Sequence, residues 1–158
     1  MSPMSPQETA RVFVLAILDD GDLETAWGVA DVELRRELAN AWVTANESHP
    51  SIRARSREVI MTALVDGAAD HPLWPHFAVS AIEEFRDAWS KVDTATWGWA
   101  TGPRPVTIDT EVVLFVDRTG VPDGPLPHDM LAQALALLMR YDGSRWWVAA
   151  LPAPGDGR

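Results

Sequence analysis

Apolar residues recur at the three- and four-residue spacing of amphipathic helices through the first half of the chain, and from Val106 onward they alternate with polar ones. Ser5-Pro6-Gln7-Glu8 opens the first helix. The Ser5 hydroxyl can accept from the Glu8 amide, the Glu8 side chain can reach back, and proline suits the first helical turn. This helix runs to Asp19-Asp20-Gly21, where glycine can take the left-handed cap. Its interior from Val12 to Leu18 is apolar on nearly every side, so it must be covered around most of its circumference. Asp22 caps a short second helix, Leu23 to about Val29, which carries Trp27. Asp31 caps a longer third, with Leu34, Leu38, Ala41, Trp42 and Ala45 in one stripe, ending before His49-Pro50. A fourth helix starts between Ile52 and Arg57 and stops near Asp66-Gly67. Beyond a loop from Asp70 to His76, the stripe Phe77, Ala78, Ala81, Ile82, Phe85, Ala88 and Trp89 predicts a fifth, closing near Lys91.

The period then changes to two. Thr96 to Thr101 reads as a short aromatic strand. In the next strand Val106, Ile108, Thr110, Val112, Leu114 and Val116 fall on one face; Thr107, Asp109, Glu111, Val113, Phe115 and Asp117 fall on the other. The first set is the more apolar and is expected to meet the helices. A loop from Thr119 to His128 is rich in glycine and proline. Residues 129–141 contain good helix formers, yet Asp142-Gly143 is a hairpin signal and Arg145 to Leu151 behind it is strand-like. A central antiparallel strand covered on both faces fits 129–141 best. The expected architecture is a single α+β domain over 1–158: a helical half, 5–91, packs on one face of a curved antiparallel sheet of about four strands, 92–152. Residues 153–158 form a frayed tail.

The charge balance narrows the partners. Thirteen basic against 23 acidic residues leave a net charge of −10. Nucleic acid and anionic membranes need a basic face, and the one local basic cluster, Arg53, Arg55 and Arg57, has no interleaved aromatics to stack bases. The absence of cysteine excludes disulfides, thiolate nucleophiles and cysteine-ligated metals. The segment Met1-Ser2-Pro3-Met4-Ser5-Pro6 lacks a positive leader region, and the Val12 to Leu18 run is too short to cross a bilayer, so a cytoplasmic location is expected.

The phrase Leu18-Asp19-Asp20-Gly21-Asp22-Leu23-Glu24-Thr25-Ala26-Trp27 and the closing hairpin Tyr141-Asp142-Gly143-Ser144-Arg145-Trp146-Trp147-Val148-Ala149-Ala150-Leu151 resemble the nuclear transport factor 2-like superfamily. The resemblance spans roughly residues 7–152. It implies a cystatin-like cone fold, a dimer formed through the outer sheet face, and a pocket between the inner sheet face and the helices. Members include ketosteroid isomerase, scytalone dehydratase and SnoaL-like polyketide cyclases, as well as binding and assembly modules without chemistry. The isomerases carry a tyrosine on the first helix that points into the pocket. Here that helix is aliphatic apart from Phe13, and the single tyrosine, Tyr141, sits at a hairpin.

Candidate chemistry is sparse. Asp109 and Glu111 form a carboxylate pair two apart on one strand face, and that face is expected to point away from the helices. Asp70, His71 and His76 are the remaining candidates for a general base at a pocket mouth, but histidines five apart across two prolines match no metal-ligand spacing, and no metal or cofactor is expected. No nucleophile elbow or phosphate-binding glycine pattern occurs. The unusual feature is eight tryptophans. Most fill a core by the ordinary reading; an apolar pocket would use Trp27 and Trp42 on the helical wall and Trp97 and Trp99 on the sheet. Trp146 and Trp147 must face opposite ways in one strand. The outward one, beside Val113 and Phe115, would make an apolar outer face and hence a homodimer. The favoured function is a non-catalytic small-molecule-binding or assembly module. The alternatives are an isomerase, dehydratase or cyclase acting on a small apolar carbonyl compound, and a structural dimer whose cone is filled by its own side chains.

Overall fold

A computed structural model describes residues 4–101, 108–118 and 134–151. Within them the fold is α+β, with helices first and a four-stranded antiparallel sheet after. Helix α1 (Pro6–Leu15) begins on the expected capping box: Ser5 Oγ accepts from the Glu8 amide at 3.1 Å, and Glu8 Oε2 accepts from the Ser5 amide at 2.9 Å. It widens into a π-helical turn over Ala16–Asp20 and stops at Gly21, whose φ is 62°. Asp22 caps α2 (Leu23–Trp27) through the Thr25 amide, and Asp31 caps α3 (Val32–Ala45) through the Glu33 amide.

A short α4 (Pro50–Arg53) stands apart from α5 (Arg57–Asp66), where one helix was expected. The last described helix, α6 (Trp74–Ala88), starts inside the segment expected to be loop. Pro75 does not oppose this, because in the first turn its missing N–H removes no hydrogen bond. Gly67 ends α5 at φ 69°, a conformation that side-chain-bearing residues adopt only at a cost. Gly67→Ala should therefore lower stability by about 1–2 kcal/mol, read as a fall of a few degrees in Tm by circular dichroism. An unchanged Tm would mean that the cap is not left-handed.

The strands are β1 (Gly98–Thr101), β2 (Thr110–Val116), β3 (Ala134–Tyr141) and β4 (Trp146–Ala150), paired in chain order and all antiparallel. Residues 134–141 are thus strand, as expected; 129–133, 106–107 and the loop from Thr119 to His128 lie outside the described residues. Beyond β4, the chain between α2 and α3 forms a parallel bridge: the Asp31 amide donates to the Val148 carbonyl at 2.8 Å, and the Val148 amide donates to the Val29 carbonyl at 2.9 Å. These bonds occupy backbone groups that would otherwise leave the β4 edge open.

Helix α1 lies against all four strands. Ala10, Phe13, Val14 and Ile17 share one core with Val113, Phe115, Leu135, Leu137, Met139 and Val148. The phase of β2 is therefore the reverse of the expected one. Val113 and Phe115 are 0% and 1% exposed and belong to the core with the helices, while on the other face Val112 and Leu114 are partly buried, Ile108 is 95% exposed and Val116 is buried outside that core. The cause is visible in the register: Val113 pairs with Leu137 and Phe115 with Leu135, which puts the one phenylalanine of the pair and three large β3 residues, Leu135, Leu137 and Met139, on the helix side, while Ala134 and Ala136 fall on the other. Val113 and Phe115 cannot belong to an outer dimer surface.

Candidate functional site

Eight tryptophans were the strongest chemical signal, and packing accounts for most of those described. Trp27 is 3% exposed, and its indole N–H donates to the Leu64 carbonyl at 2.9 Å. Its ring meets Trp74 and Phe77 edge-on, and Trp42 meets the same Phe77. A second group sits where α1 reaches the end of α6: Phe13 with Phe85 and Trp89. A third lies at the β1 end of the sheet, where Trp99 stacks on Phe115 at 4.2 Å and Trp97 meets it edge-on at 5.7 Å. The structure brings Trp27 and Trp42 together around Phe77, and Trp97 and Trp99 together around Phe115. Among the described residues no ring contact joins these two groups.

The loop candidates form no constellation. Asp70 and His76 are exposed. His71 Nδ1 accepts from the Leu73 amide at 3.1 Å, a local turn that leads into α6. Among the described residues no group of three metal-capable side chains converges. Asp109 is exposed at the entry to β2, and Glu111, opposite Met139, shares the helix-facing side of the sheet rather than the outer one.

The outer face of the sheet is the one that no described helix covers, and on it Val116 is nonetheless fully buried. Across the strands it reads in rows: Thr110, Arg140 and Trp147; then Val112, Leu138 and Ala150; then Leu114 and Ala136. Val112, Leu114 and Leu138 are partly buried and Ala136 is exposed. The register settles the two adjacent tryptophans. Trp146 pairs with Tyr141 and packs on the core side with Val148, so Trp147 is the outward one.

At one end this face becomes polar. The Trp147 indole N–H donates to Asp142 Oδ2 at 2.8 Å, and the Arg145 guanidinium sits 4.2 Å above the Trp147 ring. The indole N–H, the Arg145 amide and the Ser144 hydroxyl and amide hold the Asp142 carboxyl well below the usual carboxylate range. Arg140 Nε donates to Asp31 Oδ2 at 2.5 Å, while Asp31 Oδ1 accepts from the Glu33 amide. Burial pushes the Asp31 carboxyl up, but the Arg140 hydrogen bond, the Glu33 amide and the charges of Arg140 and Arg35 outweigh it and leave the carboxyl below its ordinary value. The same hydrogen bond raises Arg140.

Asp31 and Arg140 are the site residues that sequence reasoning missed. Asp31 carried a signal, but only as a helix cap; nothing local joins it to an arginine 109 positions away. No protein-family model matches the chain, and no curated protein or solved structure matches it either.

Proposed function

We propose that this chain is a non-catalytic association module that pairs with a second copy of itself through the outer face of its sheet. The observation that carries the reading is the apolar field of Val112, Leu114, Ala136 and Leu138, partly exposed except for the exposed Ala136, on a face that no described helix covers. A second copy is the occupant that fits it. A broad face with no described cleft suits another flat surface better than a small molecule, which needs concavity. Two molecules of net charge −10 can meet only where carboxylates are sparse, and the rows from Val112 to Ala136 carry none. The helices-first order, the antiparallel sheet and the placement of α1 across one face are what the resemblance to the nuclear transport factor 2-like superfamily implies, and membership in it is part of the proposal. The tryptophans support the self-filled form of that architecture, since Trp27 and its neighbours are consumed by core packing. Among the described residues no helix is long and apolar enough to cross a membrane; a cytoplasmic setting also belongs to the proposal.

Native mass spectrometry of the purified protein, with sedimentation velocity over a range of concentrations, tests it. The wild-type chain should be a dimer without a small-molecule adduct. Leu114→Asp combined with Leu138→Asp should give a folded monomer, because a two-fold interface receives each new charge twice; Kd should rise by at least about 100-fold, near 2.7 kcal/mol. A wild-type monomer at every concentration overturns the reading, and a reproducible bound mass moves it to ligand binding.

A further inference from the structure

Resting on the two-copy reading, we propose that Trp147 is the anchor residue of that interface, held ready by the turn between β3 and β4 and buried against the apolar rows of the second copy. Trp147 stands on the outer face opposite Arg140, in the row next to Val112, Leu138 and Ala150. In the single chain it is partly buried, and two contacts fix its ring. The indole N–H donates to Asp142 Oδ2 at 2.8 Å, and the Arg145 guanidinium lies 4.2 Å from the ring centroid. Each of these groups is anchored in turn. Asp142 Oδ1 accepts from the Ser144 amide at 2.8 Å, the Ser144 hydroxyl at 2.7 Å and the Arg145 amide at 2.9 Å, while Oδ2 holds the indole. Arg145 donates through a terminal nitrogen to the Gly28 carbonyl at 3.1 Å.

Association costs the ordering of side chains at the contact, and a large aromatic that is already fixed contributes its area without that cost. Interfaces draw most of their binding energy from a few such residues, tryptophan foremost, set among apolar contacts that exclude water. The surface Trp147 meets follows from symmetry. A two-fold contact brings one patch against itself, so the ring faces the field of Val112, Leu114, Ala136 and Leu138 on the second copy. The charges beside it do not oppose the approach of two acidic molecules: one carboxylate and one guanidinium flank the ring, and Arg140 is paired with Asp31. Asp142 is a positioning residue here, acting on the ring and not on the second copy. Trp146, one position earlier, packs toward the core and serves as an internal control.

Hydroxyl-radical footprinting with peptide mass spectrometry, on the wild-type chain well above and well below its dimer Kd, reads the burial of each tryptophan. Oxidation of Trp147 should fall severalfold in the dimer while that of Trp146 changes little. By sedimentation velocity, Trp147→Thr should raise Kd by about 30-fold or more, the loss expected of an anchor residue. Asp142→Asn keeps the size of the turn residue but offers an amide nitrogen where the indole N–H needs an acceptor. The ring is then free to move, and Kd should rise severalfold, less than for Trp147→Thr. If Trp147→Thr does not fold, the wild-type footprint decides. Equal Trp147 oxidation in monomer and dimer, while Leu114→Asp with Leu138→Asp abolishes the dimer, overturns the anchor role and leaves the two-copy reading standing. A wild-type chain that is monomeric at every concentration overturns both.

Discussion

Trp27→Ala should destabilise the protein by about 3–5 kcal/mol, the range for truncating a large buried aromatic. In a chain of this length that lowers Tm by roughly 10 °C or more. Three losses combine. The indole is 3% exposed and fills space against Trp74 and Phe77, so its removal leaves a cavity between α2 and α6. Two edge-to-face ring contacts disappear. The Leu64 carbonyl at the end of α5 loses a buried 2.9 Å donor and keeps only the Gly67 amide at 3.2 Å. Trp27→Phe separates these effects, since it retains most of the ring volume and removes the donor; its cost should be nearer 1–2 kcal/mol. Trp42→Ala, at a half-buried position, should cost less than Trp27→Ala. Chemical denaturation of the three variants checks the order. A Trp27→Ala protein with wild-type stability and altered small-molecule binding would instead identify Trp27 as a pocket wall.

The helical half was legible because its signals are local. Ser5, Asp22 and Asp31 cap helices within three residues of themselves, and Gly21 and Gly67 end them by a backbone preference that neighbours cannot override. The sheet was legible as a sheet but not in its phase. From Val112 to Val116 strand β2 is apolar on both faces, so its own alternation holds no vote; the acidic Asp109 and Glu111 beside it suggested the wrong one. The deciding pattern lay at the start of β3, where Leu135 and Leu137 alternate with Ala134 and Ala136, and antiparallel pairing passes that large-and-small alternation to Val113–Val116 of β2. Read across the hairpin rather than along one strand, it puts Phe115 inside. The Asp31–Arg140 contact is of a different kind. It depends on the 28–31 segment lying beside β4, which follows from the packing of α2 and α3 and leaves no trace at either residue.

That contact also predicts a pH signature. Arg140→Ala should cost about 2–3 kcal/mol near pH 7, at or below the roughly 3–5 kcal/mol that breaking a fully buried ion pair costs, because Arg140 itself is partly solvated. The Asp31 carboxylate is left buried with the Glu33 amide and the more distant Arg35 charge. In the wild type the Asp31 carboxyl lies below its ordinary value when folded. It therefore contributes stability above about pH 4, the unfolded value, and that contribution is lost as pH falls through the folded one. In Arg140→Ala the lowering by the Arg140 hydrogen bond and charge is gone, and burial is opposed only by the Glu33 amide and the Arg35 charge, so the folded pKa is higher than in the wild type. The variant is then penalised most, relative to the wild type, at neutral pH, where Asp31 is charged, and the penalty falls as acid protonates it. The difference in unfolding free energy between wild type and variant should thus shrink steadily from pH 7 toward pH 4. Asp22 and Asp142, also held below their ordinary values, are present in both proteins and cancel in the difference. Urea denaturation at several pH values, with Leu114→Asp, a row farther from Arg140, present in both proteins so that association does not enter, supplies the measurement. A difference that stays constant with pH would show that Arg140 stabilises the sheet edge by packing over β4 rather than by holding the Asp31 charge.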